Sequence, residues 1–575
     1  MYKGFSVQKF SDIQELDYEN TRECINEIFD FLDSTETRGK ICALFGLRRT
    51  GKTTLLQQAA KEIPVSEQDK GYFIVCDETG CNFRDIMLFL ENAVKEGAKY
   101  FFIDEITYAK DFLGNAAYLA NGLSQLNGAK IIVSGTNSLG LSLISKDAMY
   151  DRIHFVNTSY ISVSEYCLLA GSVSVDDYIK AACVLGSSYA SFGDTQDYIK
   201  TSIVNNIIDS LEKSEGLRAY PPVLTETYKK EQISNEIQRH INRYSQTALI
   251  SSIKKDFEST PIHSAFHISA GHPEKYSSLS LMPNIEKMDK KVAVLLGTDK
   301  LSGIKDDDIG KIYGFLEDIG LFKSIPVYTS FKNGIKANPL EFIVHPGMYY
   351  ANIVYAIQEL KNDENWFEGS AEDKATFIDL AYNSALGKIN ENVVIFDIYT
   401  CLNACNDCFP LSDYKNYDNP WYVSKFSAEI NKRNVESDIL ILNKNTEQVW
   451  LFEVKHSSVS AKEQSKHLEN PDMIKYIEDN FGKVQNTAVL YNGTNIKGDV
   501  PRLSIKDFLQ HMFEHKDDAG YTPDVTISAL LEEKLLSPKE RIYIINKSEK
   551  DSKNYHKNKE INEKPFNTDI SDNFD

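Results

Sequence analysis

The chain has 575 residues, 42% of them hydrophobic and 25% charged, and carries a formal net charge of −20. That is core material for about three domains, and the acidic balance excludes broad, charge-driven adhesion to nucleic acid, which depends on Lys and Arg neutralising phosphates. A local basic groove is still compatible with it. No charged-then-apolar leader opens the chain and no apolar run approaches the roughly 18 residues of a membrane span, so a cytoplasmic protein with no membrane partner is expected.

Residues 40 to 45 (KICALF) read as a buried strand and 53 to 63 (TTLLQQAAKEI) as a helix. Between them Gly46, Leu47, Arg48, Arg49, Thr50, Gly51, Lys52 and Thr53 spell G-x-x-x-x-G-K-[ST], with Thr54 opening the helix. The glycines let the backbone wrap phosphates, the loop N–H groups and the positive helix end favour an anion, and Lys52 adds a full charge. The pattern predicts binding of ATP, with Thr53 on Mg²⁺.

Residues 72 to 77 (YFIVCD) form the next expected strand and 83 to 96 the next helix. The run 100 to 105 (YFFIDE) then delivers two carboxylates at a strand end, Asp104 for the Mg²⁺ shell and Glu105 to polarise the attacking water. After a helix over 111 to 126, residues 130 to 135 (KIIVSG) form a strand expected beside the one bearing Asp104. Asn137 at its end is placed to sense the γ-phosphate or water. Residues 153 to 162 supply a possible fifth strand, with Arg152 just before it as a candidate catalytic arginine. Alternating β and α elements predict a parallel sheet with helices on both faces and the ligand at the strands' carboxyl ends.

The order GLRRTGKTTLL, YFFIDEI, VSGTNSL, then an arginine followed by SVSEY is similar to prokaryotic AAA-type ATPases of the archaeal-ATPase-like group. That resemblance implies an ATP hydrolase, and such proteins commonly carry a C-terminal restriction-endonuclease-like domain. This chain departs from the group by reading Asp151-Arg152 where Gly-Arg is usual.

In the middle, 225 to 254 predicts one or two helices, and 306 to 322 has Ile309, Ile312, Tyr313, Leu316 and Ile319 at helical spacing before an extended stretch, 323 to 330. Helix then strand resembles a winged helix. Its acids, Asp306, Asp307, Asp308, Glu317 and Asp318, against Lys311 alone, favour a packing module over a groove reader.

Residues 436 to 442 (ESDILIL) and 449 to 455 (VWLFEVK) predict a β-hairpin. Glu453 and Lys455 are two apart, so they share a face, and pairing brings Asp438 beside them. This is the D…E-x-K arrangement of restriction-endonuclease-like nucleases, in which the two acids bind a hard divalent ion and Lys455 acts on water near a phosphodiester. Glu372 and Asp379 are candidates for a further acid on the preceding helix. A helix over 466 to 482 and a strand over 486 to 492 would follow. Cys401, Cys405 and Cys408 have metal-like spacing but no fourth ligand nearby. Residues 546 to 575 mix charges with few large apolar groups, the composition of a disordered tail.

The expected fold is therefore α/β: a P-loop ATPase domain over 1–170, a helical and winged-helix-like middle over 171–350, a restriction-endonuclease-like domain over 351–515 and an extension over 516–575. Two functions fit. One is an ATPase whose cycle controls a nuclease-like domain directed at DNA or RNA. The other is a nucleotide-gated switch that binds protein partners through an inactive nuclease-like platform.

Overall fold

The computed structural model describes residues 4–532, except 15–19, 79, 126–127, 147–148, 172–173, 182–190, 214–222, 259–277, 332–333, 336–338, 406–417 and 460–464. Cys408 and the tail from 546 lie outside the described residues.

The first sheet has six strands: β1 (Phe5–Lys9), β2 (Ile41–Phe45), β3 (Gly71–Cys76), β4 (Tyr100–Asp104), β5 (Lys130–Ser134) and β6 (Ile153–Asn157). Their order is β1-β3-β4-β5-β2-β6. Only β1 runs antiparallel, on the edge against β3. Strands β2, β4 and β5 are apolar almost throughout because helices cover both faces of a parallel sheet. One face packs Ile74, Phe101, Ile103, Ile131 and Val133 under helix Phe83–Lys95. The other packs Leu44, Phe73, Phe102 and Ile132 against helix Lys52–Glu62. Strand β5 lies between β4 and β2, so the segments ending in Phe45, Asp104 and Ser134 open side by side.

The middle is mostly helical, including Asn205–Lys213, Lys230–Glu258, Ser278–Leu296 and Asp306–Asp318. Leu47 of the phosphate loop and Leu139 and Leu143 of helix Ser138–Ser145 are buried with Ile207, Leu211, Ile237, Leu316 and Ile319 of these helices. Helix Asp306–Asp318 is followed by β7 (Phe322–Pro326), β8 (Tyr328–Phe331), β9 (Gly334–Ile335) and β10 (Pro339–Ile343). Strands β7 and β10 pair antiparallel, and β7 and β8 cover the extended stretch expected at 323–330.

Strand β8, however, leaves the ribbon and pairs in parallel with β11 (Trp421–Ile430). The second sheet therefore crosses the boundary expected at 350. It is completed by β12 (Arg433–Asn443), β13 (Gln448–Lys455), β14 (Lys483–Tyr491) and β15 (Arg502–Ser504), in the order β15-β14-β13-β12-β11-β8-β9. Strands β12 and β13 form the expected hairpin. Across this sheet lies a 31-residue helix, Ala371–Cys401, started by a capping box between Ser370 and Asp373. The last described helix, Pro523–Leu531, packs on Ile505–His515.

Candidate functional site

The phosphate loop leaves β2 at Gly46, whose φ of 143° and close approach to Thr158 exclude a side chain: a Cβ would stand 2.5 Å from the Thr158 hydroxyl. Gly51, at φ 84°, ends the loop and caps helix Lys52–Glu62. Arg49 adopts φ 63°, strained for a side-chain-bearing residue and typical of a backbone wrapped around a ligand. The Lys52 ammonium is buried and donates to the carbonyls of Gly46 (3.0 Å) and Leu47 (2.7 Å). Burial pushes its pKa down to about 8 although Glu105 and Asp104 oppose the shift. A buried cation held only by carbonyls is short of negative charge, and a phosphate would supply it.

Thr53 donates to Asp104 Oδ2 at 2.7 Å, and the Ser134 hydroxyl donates to the other Asp104 oxygen. Glu105 follows at φ 54°, which turns its carboxylate out of the strand onto the Thr136 N–H at 2.9 Å. Burial raises the Glu105 carboxyl, partly offset by Lys52. Asn137 caps helix Ser138–Ser145 through the Gly140 N–H, while its buried Nδ2 has no partner. Lys52, Thr53, Asp104, Glu105 and Asn137 thus meet at the carboxyl ends of β2, β4 and β5. The donors and acceptors fit a triphosphate with Mg²⁺: a carboxylate–hydroxyl pair for the ion, a buried ammonium for phosphate, and an orphaned amide for an oxygen.

Arg152 is not part of this set. It stands at the amino end of β6, the opposite end of the sheet, where it contacts Asn121 and accepts a backbone bond from Ile41. A strand runs away from the residue that precedes it, so Arg152 cannot share the edge that holds Gly46.

Two contributions escape sequence reasoning. Arg22, 4% exposed, donates to the carbonyls of Thr50 (2.8 Å), Thr158 (2.8 Å) and Tyr160 (2.5 Å) and to both oxygens of Glu165 (3.1 Å each). It ties the phosphate loop to the segment after β6. From the middle region, Tyr198 donates to the Arg48 carbonyl at 2.8 Å and Asn206 to that of Thr136 at 2.5 Å, closing helices over the loops.

On the second sheet, Asp438, Glu453 and Lys455 meet as the hairpin requires. Asp438 accepts the Val454 N–H at 2.8 Å, and the Lys455 ammonium lies 2.8 Å from Glu453 and 3.8 Å from Asp438. Burial and the neighbouring Asp438 raise the Glu453 carboxyl far above the usual range. Burial acts the same way on Asp438, but Lys455 and Lys425 outweigh it and hold that group below its ordinary value. The two acids are thus pushed in opposite directions within one site, and a divalent cation would favour the charged form of both.

Neither Glu372 nor Asp379 bonds to this set among the described residues. Glu372 is exposed in the first turn of its helix, and Asp379 pairs with Lys361 at 3.1 Å. Glu391, roughly 18 Å further along that helix at 1.5 Å per residue, forms an ion pair with Lys425. Lys425 lies between Ser424 and Phe426 on β11, across from a bulge in β12 where Asp438 and Ile439 stand opposite this one residue. Cys401 and Cys405 are free thiols, and no group of three metal-ligating side chains occurs among the described residues.

A family described as "AAA domain" matches residues 38–167. The amino-terminal region is therefore an AAA-type P-loop domain, the kind that binds nucleotides. The match spans the phosphate loop, Asp104, Glu105, Asn137 and Glu165. No curated protein matches the chain. Among solved structures, protein VC1899 from Vibrio cholerae aligns at 10% identity and a TM-score of 0.14, over 77% of this chain and 95% of that one. No helix among the described residues is long and apolar enough to cross a membrane.

Proposed function

We propose that the protein hydrolyses ATP and that its nucleotide cycle acts on a nuclease-like, nucleic-acid-directed C-terminal sheet. The observation that carries the first half is the convergence of Lys52, the Thr53–Asp104 pair and Glu105 at one sheet edge. In this reading the loop from Gly46 to Thr54 holds the phosphates. Thr53 and Asp104 would hold Mg²⁺, which spreads the developing phosphate charge. Glu105, kept in place by the Thr136 N–H, orients water and takes its proton, and Asn137 directs its free Nδ2 at an oxygen of water or phosphate. Arg152 belongs to this chemistry only if a second copy presents it, because its own sheet faces it away.

The second half rests on Asp438, Glu453 and Lys455 sharing one face beside Glu391 and Lys425. Asp438 and Glu453 would hold a divalent ion and Lys455 would act on water or phosphate. Lys388, Lys425 and Lys455 balance Glu391, Asp438 and Glu453 in this set, so a bound divalent ion would leave positive charge suited to a phosphodiester. The alternative reading, a non-cutting platform for protein partners, is favoured by the same ion pairs, since Lys425 and Lys455 neutralise the acids without a metal.

The test is ATP turnover with and without single-stranded DNA, duplex DNA and RNA, with strand cleavage followed in parallel. Absence of nucleotide binding would overturn the ATPase reading. Metal binding without cleavage of any of these would leave the platform reading.

A further inference from the structure

Among the contacts that join the C-terminal half to the segments around the nucleotide site is one buried carboxylate. Asp397 lies on helix Ala371–Cys401, six residues and about 9 Å along the axis from Glu391. Its Oδ1 accepts the Tyr160 hydroxyl and the Val163 N–H, the latter at 3.1 Å. Asp397 is 3% exposed, and the Tyr160 ring sits edge-on to Phe396 with centroids 4.7 Å apart. Tyr160 belongs to the segment that braces the phosphate loop. The Thr158 hydroxyl meets that of Thr50 at 2.7 Å, Ser159 Oγ accepts the Leu47 N–H at 3.3 Å, and Arg22 spans the carbonyls of Thr50, Thr158 and Tyr160.

A ligand shifts a conformation only through contacts that differ between two states. Here the difference is Lys52, whose ammonium rests on the Gly46 and Leu47 carbonyls and must leave them to meet phosphate. Those two residues touch Ser138 and Ser159 directly. The receiving side is not fully satisfied in its present arrangement. A cavity next to Tyr160 is walled by Tyr244, Tyr349, Asn392 and Phe396, and Tyr349 Oη and Asn392 Oδ1, both buried, have no hydrogen-bond partner. His345, at the start of the helix that carries Tyr349, is likewise buried with neither ring nitrogen bonded. A buried polar group without a partner is costly, so a second packing that pairs these groups lies closer in free energy to this one.

We infer that Asp397 is a positioning residue through which the phosphate loop and the helix bearing Glu391 sense each other's state, because its one carboxylate bonds that helix to the loop's brace at both Tyr160 and Val163. This rests on the nucleotide-binding reading and adds the route of communication.

The experiment is amide hydrogen exchange on the full chain, with and without a non-hydrolysable ATP analogue and Mg²⁺, alongside direct measurement of analogue binding. In the wild type the analogue is expected to slow exchange at least threefold in residues 385–401 and 433–455. Asp397→Leu and Tyr160→Phe should retain analogue binding and abolish that distant slowing. Tyr160→Phe keeps the ring on Phe396 and removes one hydroxyl, so it serves if Asp397→Leu fails to fold. No analogue binding in the wild type would defeat the nucleotide reading itself. Binding without distant slowing, or slowing that survives both substitutions, would overturn the role of Asp397.

Discussion

Arg22→Met gives the sharpest test of how the phosphate loop is held. The substitution removes five hydrogen bonds and leaves Glu165, 5% exposed, with its charge and only the Glu23 N–H at 2.8 Å on its carboxylate. Breaking a buried ion pair from one side costs about 3–5 kcal/mol. For a domain of this size that corresponds to a loss of roughly 6–20 °C in melting temperature, at about 2–4 °C per kcal/mol. Calorimetry of the full chain reads it, and ATP identifies the relevant transition by moving it upward. Lys40–Asp151 supplies the internal control. Its side chains are 37% and 81% exposed, so Asp151→Ala should cost under about 1 kcal/mol. Replacing Glu165 by Leu in the Arg22→Met background should recover part of the loss, since no buried charge remains. If Arg22→Met costs no more than Asp151→Ala, Arg22 is not the clamp described.

Four further outcomes are expected. Lys52→Ala should weaken ATP binding at least tenfold, about 1.4 kcal/mol, as measured by calorimetric titration. Because burial lowers the Lys52 pKa to about 8, the folded ATP-free protein binds fewer protons than the unfolded chain between there and the ordinary value of 10.5. The lysine's contribution to stability is therefore unfavourable at neutral pH and improves as pH rises through that window, and ATP binding above pH 8 should take up protons, seen as a dependence of binding heat on buffer ionisation enthalpy. Glu105→Gln should keep ATP affinity and slow turnover by orders of magnitude, and normal turnover would assign the water to another group. Mn²⁺ should raise the melting temperature of the C-terminal transition in the wild type and in Lys455→Ala but not in Asp438→Asn. The raised Glu453 carboxyl makes the metal-free fold bind a proton that the unfolded chain releases above about pH 4.5, so that group's contribution falls as pH rises and the metal effect should grow in parallel.

What the sequence made legible was what is local in it. The phosphate loop is eight consecutive residues, and YFFIDE announces both its strand and its acids. The hairpin was readable because a period of two places Glu453 and Lys455 on one face whatever the surroundings. Strand β1 carries Phe5 and Val7 in alternation, a signal that was present but short. The pairing of Glu391 with Lys425 was hidden because it depends on the phase of a 31-residue helix and on where β11 meets a bulge in β12. Arg22 was hidden more deeply, since three of its acceptors are backbone carbonyls, which any residue supplies. The parallel addition of β8 to β11 joins segments about ninety residues apart, and no local pattern encodes it.

Leu47, fully buried against helices of the middle region, bears on how such a protein can be divided. Severed near 170, the amino-terminal part would expose Leu47, Leu139 and Leu143 together, a sticky face touching the loop that must move around its ligand. The nucleotide module is therefore not a portable cassette. Its phosphate loop was shaped with a neighbour already in place, and transplanting it to another partner would require a matching set of apolar helices, not merely a linker.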